Sequence, residues 1–305
     1  MKVEKTVEKI EKMEIRGASD IARATAEALK QKSKKLEANS VEDAISELGD
    51  SADRLLKSRP TAVSLPNAIR KVFNGLKETG SVEEFRELAI QNSDEFIEKS
   101  KVAKQKIGEI GSKRIKDGDK VLTHCNSEAA LSIFKSAKDE GKEFEVFSTE
   151  ARPRYQGRIT AQDLVNEGIS VTQIVDSAAR FFMNEMDLVV VGADAIGANG
   201  AVANKIGTSQ IALVAKEARV DFYVAAETYK FSPSTVLGEL IEIEERDEEE
   251  VWENKPDDVE IRNPAFDFTP PRYVDNICTE IGLISPHMAY HVLKEEFGLG
   301  LQDVL

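Results

Sequence analysis

The stretch Asp187–Thr208, DLVVVGADAIGANGAVANKIGT, decides the fold. It opens with the apolar run Leu188–Val191, which is typical of a strand buried on both faces of a sheet. The run breaks at a Gly-Ala turn that leaves Asp194 at the carboxyl end of the strand, and a flexible, glycine-rich loop is then predicted to bring Asn204 and Lys205 to the site. Open α/β sheets build ligand sites from strand ends of this kind. An ordinary strand followed by a flexible loop has the same pattern, so the rest of the chain must decide.

The composition of the chain limits its partners and its compartment. The 305 residues carry a formal net charge of −14, which disfavours bulk electrostatic binding of nucleic acid, so an anionic ligand must be held by a few local cations. The two cysteines, Cys125 and Cys278, do not make a disulfide framework, the N-terminus has no apolar signal region, and no segment has the length of a membrane span. These features predict a cytoplasmic protein that binds neither nucleic acid nor a membrane.

Helix and strand patterns divide the chain into two domains. Residues 1–112 show helical spacing of apolar residues, with a capping box at Ser81–Glu84. Beyond them short apolar strands alternate with helices, which predicts βαβ units and a mostly parallel sheet. The strands are predicted at 120–124, 144–147, 171–175, 188–191 and 222–226, and the proline-rich segment 257–273 is predicted to be extended or looped. We therefore predict an α/β protein with an N-terminal helical domain, 1–112, and a Rossmann-like domain flanked by helices, 113–305.

Two of the predicted strand ends offer a base and an acid. Cys125 lies between the first strand and a helix, where the positive end of the helix dipole favours a thiolate, which could act as a base or as a nucleophile. A buried, inert cysteine is the alternative. Asp194 follows an apolar strand, and burial raises the pKa of a carboxyl group, so a protonated acid is expected. Because ligands bind beyond the carboxyl ends of parallel strands, we interpret Cys125 and Asp194 as a base–acid pair.

Several cations stand at breaks in the pattern where a phosphate could bind. They are Arg16, Arg59, Lys205 and Lys230. Arg16 precedes a predicted helix that Ser19 or Asp20 would cap, and free backbone N–H groups at such a terminus suit an anion. A solvated surface position is the alternative for each arginine and for Lys230. His287 and His291 are spaced for one helix face, but no third ligand accompanies them, so no metal site is predicted.

Five motifs occur in an order that resembles a known superfamily. They are Arg16-Gly17-Ala18, Arg59-Pro60-Thr61, His124-Cys125-Asn126-Ser127, Gly192-Ala193-Asp194 and Asn204-Lys205-Ile206-Gly207-Thr208. The superfamily joins the sugar-1-phosphate isomerases to the regulatory subunits of translation initiation factor two-B, and the resemblance covers nearly the whole chain. The pattern resembles in particular the archaeal isomerases of ribose 1,5-bisphosphate, which act in an AMP-degradation pathway that feeds Rubisco.

The resemblance implies a role for each motif. Cys125 would be the proton acceptor and Asp194 the proton donor in converting α-D-ribose 1,5-bisphosphate to D-ribulose 1,5-bisphosphate through a phosphorylated enol. The residues implied to bind this sugar bisphosphate are Arg16, Gly17, Ala18, Ser19, Arg59, Ser127, Glu128, Ala129, Asn204, Lys205 and Lys230. The Glu128 carboxylate would repel a phosphate, so backbone N–H groups are expected to bind there. The resemblance also implies no required cofactor, AMP as an allosteric activator, and self-association into dimers or a hexamer built as a trimer of dimers.

Two other functions are compatible with the same motifs. A non-enzymatic regulatory subunit has no need of a thiol and an acid at neighbouring strand ends, so the pair Cys125 and Asp194 favours an enzyme. An isomerase of methylthioribose 1-phosphate would use the same pair and an apolar pocket for the 5-substituent. Lys230, if it faces the site, favours a second phosphate over that pocket.

Overall fold

The structure, a computed structural model, describes residues 2–15 and 17–298. The chain divides into two compact units, Met1–Val102 and Ala103–Leu305. The division falls inside one long helix, Val82–Gly111. The sequence-based domain boundary between residues 112 and 113 stays a prediction.

The first unit is helical, as predicted. Its helices are α1 (Lys2–Glu11), α2 (Ala18–Ser33), α3 (Val41–Ser58), α4 (Ser64–Phe73) and the first part of α5 (Val82–Gly111). The predicted capping box is present in a shifted form: Ser81 Oγ accepts the Glu84 N–H at 3.2 Å, and Glu84 Oε2 accepts the N–H of Gly80, the residue before the N-cap, at 2.8 Å. The predicted cap of α2 is wrong: the N-cap is Gly17, and the helix has already begun at Ala18.

A seven-stranded sheet forms the centre of the second unit. Its strands, in spatial order, are β10 (Gly282–Ile284), β9 (Asn276–Thr279), β7 (Asp221–Ala225), β4 (Leu188–Gly192), β1 (Lys120–Thr123), β2 (Glu145–Thr149) and β3 (Ser170–Ile174). All neighbouring strands are parallel except β9 and β10. The prediction of a Rossmann-like, mostly parallel sheet is confirmed, and the five predicted strands correspond to β1, β2, β3, β4 and β7.

Helices cover both faces of this sheet. They are the end of α5, α6 (Glu128–Asp139), α7 (Gln156–Asn166), α8 (Ala179–Phe182), α9 (Thr208–Ala218) and α10 (Ala289–Phe297). Strand β4 contains the apolar run near the start of Asp187–Thr208, and its burial explains that run. Val189 and Val191 belong to the hydrophobic core that includes Leu293 of α10, whereas Val190 belongs to the core that includes Phe134 of α6. A strand with a core on each face needs apolar side chains at every position.

A smaller antiparallel sheet contains the second half of the quoted stretch. Its strands are β5 (Ala195–Ile196), β6 (Val202–Lys205) and β8 (Phe266–Thr269). Asn204 and Lys205 therefore lie on a strand, and their prediction as part of a flexible loop is wrong. Residue pairing places Asn204 opposite Asp267, so the conformation of this stretch depends on a segment far away in sequence.

Candidate active site

The strand order places the ends of β1 and β4 side by side. Strand β1 pairs with β2 on one side and with β4 on the other, so the order of the strands reverses between β1 and β4. Ligands of open α/β sheets bind at such a switch point, beyond the carboxyl ends of the strands. Cys125 follows β1 and Asp194 follows β4. Both predicted catalytic residues therefore leave the sheet at the place where the fold favours a site.

Cys125 occupies a constrained turn between β1 and α6. Its backbone φ is 70°, a left-handed conformation that residues with a side chain rarely adopt. Its carbonyl oxygen accepts a hydrogen bond from Thr160 Oγ1 at 2.8 Å, and the residue is half-buried. The turn fixes the direction in which the thiol leaves the strand.

The surroundings of Cys125 favour the protonated thiol over the thiolate. Burial raises its pKa to about 11, although the positive charge of Lys205 and the N–H of Asn126 oppose this shift. The charges of Asp194 and Asp176 raise the pKa further. Desolvation of the sulfur thus outweighs the helix terminus in the resting protein, and a catalytic thiolate at Cys125 stays a prediction. Lys205, Asp194 and Asp176 are therefore close enough to Cys125 for their charges to change the pKa of its thiol.

Strands β4 and β6 bring an acid and a cation to this thiol. Asp194 is half-buried, and its N–H donates to the Ala203 carbonyl at 2.9 Å, which joins the end of β4 to β6. Lys205 ends β6 and is only 5% exposed. Its Nζ lies 5.2 Å from the ring centroid of Phe266 on β8, in a cation–π contact. Residues predicted from separate motifs thus meet at one edge of the fold, while the protonation of Asp194 stays a prediction.

The N-terminus of α6 borders the same turn. Ser127 is its N-cap and accepts the Ala130 N–H at 3.4 Å. The Ser127 side chain lies directly against Gly192 of β4, where an added Cβ would come within 2.3 Å of Ser127 Oγ. The Glu128 carboxylate pairs with Lys104 Nζ at 3.2 Å. This pairing offsets the charge that would otherwise repel a phosphate.

The amide of Asn204 and the side chain of Ala129 are buried. Asn204 Nδ2 donates to Thr208 Oγ1 at 3.0 Å, and Thr208 Oγ1 donates to the Lys205 carbonyl at 2.6 Å. Asn204 therefore stabilises the chain on either side of Lys205.

Lys230 is a buried cation with a carboxylate partner. It follows β7, it is 4% exposed, and its Nζ lies 2.8 Å from Oε2 of the fully buried Glu227. Tyr229 donates its hydroxyl to the other Glu227 oxygen at 3.1 Å. Burial raises the pKa of Glu280, and the charge of Glu227 adds to that shift. Lys230 thus belongs to a buried ionic cluster that also contains negative charge.

The remaining predicted residues belong to the first unit. Arg16 lies outside the described residues. Gly17 is exposed and has a φ of 90°, which glycine adopts without strain. Ala18 is half-buried, Ser19 is buried, and Arg59 is half-buried at the C-cap of α3. The assignment of these residues to substrate binding stays a prediction.

Sequence reasoning missed several polar side chains near these strand ends. Asp176 follows β3, and its two oxygens accept the N–H groups of Ala151 and Arg152, both at 2.7 Å. Gln156 opens α7, and its Oε1 is buried with no hydrogen-bond partner in the described part of the chain. Asp267 lies on β8 and accepts backbone N–H groups at the start of α9. The rule that ligands bind at strand ends could have found Asp176, whereas Asp267 is found only once β6 and β8 are paired.

The chemistry open to this arrangement is proton transfer. Cys125 is a base when ionised, Asp194 is an acid when protonated, and Lys205 favours negative charge beside them. Across residues 2–15 and 17–298, no group of three or more His, Cys, Asp or Glu side chains could hold a metal ion. No helix in the same ranges is long and apolar enough to cross a membrane.

Known proteins resemble this chain over nearly its whole length. The family model described as the Initiation factor 2 subunit family matches residues 14–286. Ribose 1,5-bisphosphate isomerase from Methanocaldococcus jannaschii is 54% identical over 298 residues, which cover 97% of this chain and 96% of that protein. Methylthioribose-1-phosphate isomerase from Acetivibrio thermocellus is 38% identical over 304 residues, which cover 93% of this chain and 89% of that protein.

Solved structures show the same likeness. A crystal structure of the translation initiation factor eIF-2B from Pyrococcus horikoshii matches with a TM-score of 0.80 at 35% identity, covering 93% of this chain and 97% of that chain. The likeness therefore includes proteins named as enzymes and a protein named as a translation factor.

Proposed function

The chain belongs to the Initiation factor 2 subunit family, and from this premise we propose that it is an isomerase that converts α-D-ribose 1,5-bisphosphate to D-ribulose 1,5-bisphosphate. The relative named for this substrate shares 54% of aligned residues with the chain, against 38% for the relative named for methylthioribose 1-phosphate. The observation that carries the proposal is the meeting of Cys125, Asp194 and Lys205 at the switch point of the sheet. A base, an acid and a cation are the groups that an aldose–ketose isomerisation of a sugar phosphate needs.

The esterified anomeric oxygen sets the order of the chemical steps. A sugar 1-phosphate cannot open to a free aldehyde, so the ring opens with help from an acid. Asp194 in its protonated form gives a proton to the ring oxygen as the bond between that oxygen and C1 breaks. Cys125 as thiolate takes the proton from C2, and a C1–C2 double bond forms in a phosphorylated enol. The Cys125 thiol then gives its proton to C1 while the Asp194 carboxylate takes the hydroxyl proton on C2, which leaves the ketone and restores both groups.

The active form of the pair has its proton on the acid and not on the sulfur. With a thiol pKa of about 11, about one molecule in 10⁴ has a thiolate at pH 7. If Asp194 is ionised when the thiol is protonated, the resting and active forms differ only in the position of one proton. Lys205 lowers the pKa of Cys125, and its charge therefore favours the active form.

The other motif residues would hold the phosphates and the sugar. We assign substrate binding to Arg16, Gly17, Ala18, Ser19, Arg59, Ser127, Glu128, Ala129, Asn204, Lys205 and Lys230. Glu128 would act through its backbone N–H, since its carboxylate pairs with Lys104. Binding of two phosphates positions C2 against the base, and such positioning must supply much of the rate, because a general acid or base gives typically ~10²–10⁴-fold.

The proposal extends to regulation, assembly and location. No cofactor takes part in the steps above. AMP is proposed as an allosteric activator, and the chain is proposed to form dimers or a hexamer built as a trimer of dimers. The order of the motifs supports these points, and the free cysteines Cys125 and Cys278 support a reducing, cytoplasmic location.

Two alternatives lead to different assay results. A regulatory subunit, which the 35% identity to the P. horikoshii factor favours, would form no product. A methylthioribose-1-phosphate isomerase would prefer that substrate. The buried Glu227 beside Lys230 reduces the charge that Lys230 can offer to a second phosphate. Sequence identity is therefore stronger evidence than Lys230 for choosing between the two isomerase functions.

The decisive experiment mixes the purified chain with ribose 1,5-bisphosphate and follows ribulose 1,5-bisphosphate by phosphorus NMR. We expect product from the wild type and at least roughly hundredfold slower formation with Cys125→Ser or Asp194→Asn, because each change removes one proton-transfer group. Cys278→Ala is the matched control, since this second cysteine belongs to a hydrophobic core. No product from the wild type, with or without AMP, would support the regulatory alternative. Wild-type rates from folded Cys125→Ser and Asp194→Asn would refute their assigned roles.

A further inference from the structure

Side chains from two other elements hold the turn that follows β6, residues Ile206 and Gly207. The Ile206 carbonyl accepts a hydrogen bond from His124 Nε2 at 2.8 Å. The Gly207 N–H donates to Asp267 Oδ2 at 2.7 Å, and the Ser209 N–H donates to both Asp267 oxygens at 3.1 and 3.2 Å. The backbone of the turn is therefore fixed from both sides.

His124 connects this turn to the base. Its Nδ1 lies 2.6 Å from Thr149 Oγ1 at the end of β2. A carbonyl oxygen only accepts, so we assign the ring proton to Nε2, and Nδ1 then accepts from the Thr149 hydroxyl. Burial lowers the pKa of His124, which keeps the ring neutral. His124 directly precedes Cys125 and its partner Ile206 directly follows Lys205, so one imidazole links the backbones of the base and the cation.

The turn lies directly against the imidazole. Gly207 has a φ of 100°, and a Cβ added there would lie 3.3 Å from His124 Nε2. Glycine is needed both for the backbone conformation and for this close approach. The contact between Gly207 and His124 restricts any movement of Lys205 relative to His124.

Asp267 binds the turn although its carboxylate is partly removed from water, which disfavours its negative charge. Burial raises its pKa to about 6, although the N–H groups of Gly207 and Ser209 oppose the shift. Its carboxylate also occupies the N-terminus of α9, where the helix dipole favours negative charge. A carboxylate whose pKa is shifted by burial is more typical of a functional site than of a stabilising core. The N–H groups that it binds are not available to a substrate phosphate.

From these contacts we propose that His124 and Asp267 are positioning residues, in an inference that rests on the proposed isomerase function for the reaction they serve. Their hydrogen bonds fix the turn after β6 and thereby keep Lys205 Nζ where its positive charge acts on the thiol of Cys125. Neither residue touches the reacting atoms in this role. Both act through Lys205, which makes the thiolate easier to form.

The charges around Cys125 make this role measurable. Those that act on the thiol come from Lys205 on β6, Asp194 after β4 and Asp176 after β3, and the adjacent His124 is neutral. Substitution of His124 or Asp267 therefore changes the ionisation of the thiol by moving Lys205. A looser turn leaves the thiol with less positive charge, so the thiolate fraction at a given pH falls.

The test measures the rate at which iodoacetamide alkylates Cys125 in the intact protein, with the modified peptide quantified by mass spectrometry. Lys205→Met removes the positive charge altogether and therefore shows the largest expected slowing. We expect its alkylation rate to be about tenfold slower, which corresponds to a rise of about one unit in the pKa of Cys125. His124→Phe and Asp267→Asn are expected to be about three- to tenfold slower. His124→Gln keeps an N–H that can reach Ile206 and is expected to lie closer to the wild type. Simple loosening of the structure would expose the thiol and speed the reaction, which is the opposite sign.

Asp275→Asn is the matched control. Asp275 is also a half-buried carboxylate that accepts a backbone N–H, from Phe222 at 2.8 Å, but it directly precedes β9 and lies beside the amino end of β7. Its alkylation rate should equal that of the wild type. Unchanged or faster alkylation in His124→Phe and Asp267→Asn, or no effect of Lys205→Met, overturns the inference. If His124→Phe does not fold, Asp267→Asn still decides.

The alkylation needs no substrate, so it separates this inference from the proposed function. An inactive wild type whose variants still show the expected slowing would refute the isomerase function and retain the positioning roles. An active wild type whose variants alkylate at the wild-type rate would support the isomerase function and refute the positioning roles. If both hold, His124→Phe and Asp267→Asn should also lower kcat by about tenfold or more, with partial recovery in His124→Gln.

Discussion

Cys125 shows that the position of a residue can be predicted from sequence when its charge state cannot. The strand-to-helix pattern placed it correctly at a strand end. Its thiol pKa rises from an ordinary 9.0 to about 11, which disfavours the thiolate by roughly 3 kcal/mol. A helix N-terminus usually supplies only about 0.3–1 kcal/mol in the other direction. The desolvation that decides between these effects depends on tertiary packing around the sulfur, which no local sequence pattern reveals.

The raised thiol pKa predicts an unusual pH dependence for the variant Asp194→Asn. With the acid removed, kcat/KM should follow the thiolate alone. Because the folded pKa of Cys125 lies above neutral pH, kcat/KM should rise about tenfold per pH unit from about pH 7 towards about pH 10.

The measurement is the residual activity of Asp194→Asn across this pH range, with circular dichroism at each pH to confirm folding. A level profile above about pH 8 would mean that the thiolate is already formed, as the helix dipole alone predicts. That outcome would contradict the buried, protonated thiol.

Lys230 and Glu227 form the second residue-scale test, because each neutralises the other inside the protein. Lys230→Met alone leaves a buried carboxylate without its cation, and we expect a loss of about 3–5 kcal/mol in the free energy of unfolding. The double variant Lys230→Met with Glu227→Gln removes both charges, and most of that loss should be recovered. Urea denaturation of both variants measures the difference.

The same double variant tests the assignment of Lys230 to substrate without the complication of a stranded charge. If Lys230 binds the second phosphate, KM for ribose 1,5-bisphosphate should rise more than KM for the 5-dephospho analogue. Equal increases for the two substrates would show that the ion pair is structural.

At the scale of elements, five strands of the central sheet were predictable from their apolar runs, whereas the strands of the small antiparallel sheet were not. The five strands predicted from apolar runs are all in the central sheet, and β4 is buried at every position. Strand β6 contains Asn204 and Lys205 between glycines, so its sequence is typical of a loop. It is a strand because β8, which follows Pro264 and precedes Pro270 in sequence, pairs with it. Non-local pairing of this kind leaves no periodic signal in either segment.

Gly192 tests how closely two elements must approach at the site. A Cβ on Gly192 would lie 2.3 Å from Ser127 Oγ and 2.5 Å from Ser127 Cβ. Gly192→Ala should therefore push the N-terminus of α6 away from β4, with a cost of about 1–3 kcal/mol in the free energy of unfolding. Activity should fall because Ser127, Glu128 and Ala129 are assigned to the substrate. Thermal unfolding and the phosphorus NMR assay measure the two effects.

The compensating change for Gly192→Ala is Ser127→Gly, which removes the atoms that clash and still leaves an acceptable N-cap residue. The double variant should regain most of the lost stability. Gly49→Ala is the control for adding a methyl group, because nothing lies within 4 Å of a Cβ at this position in α3. A Gly192→Ala protein as stable as the Gly49→Ala protein would contradict the close packing of α6 on β4.

At the scale of the whole molecule, the order of five motifs predicted the family correctly, although most single motifs were ambiguous. Arg59 or Lys230 alone has a solvated alternative, and Gly192-Ala193-Asp194 alone is an ordinary turn. Their joint order over the chain is specific, and a family model matching residues 14–286 confirms it. Charge gives the complementary constraint. A protein of net charge −14 offers no general attraction to anions, so each anionic ligand needs its own local cations.

This constraint gives the proposed activation by AMP a quantitative test. If AMP and the sugar bisphosphate occupy separate sites, activation at the level of binding is reciprocal. AMP should then tighten substrate binding by some factor, and substrate should tighten AMP binding by the same factor, typically about 5- to 150-fold. Calorimetry on Cys125→Ser, which should bind substrate without converting it, can measure each affinity in the absence and presence of the other ligand. Weaker AMP binding in the presence of substrate would mean that the two anions compete for the same cations, and AMP would then act as an inhibitor at the active site.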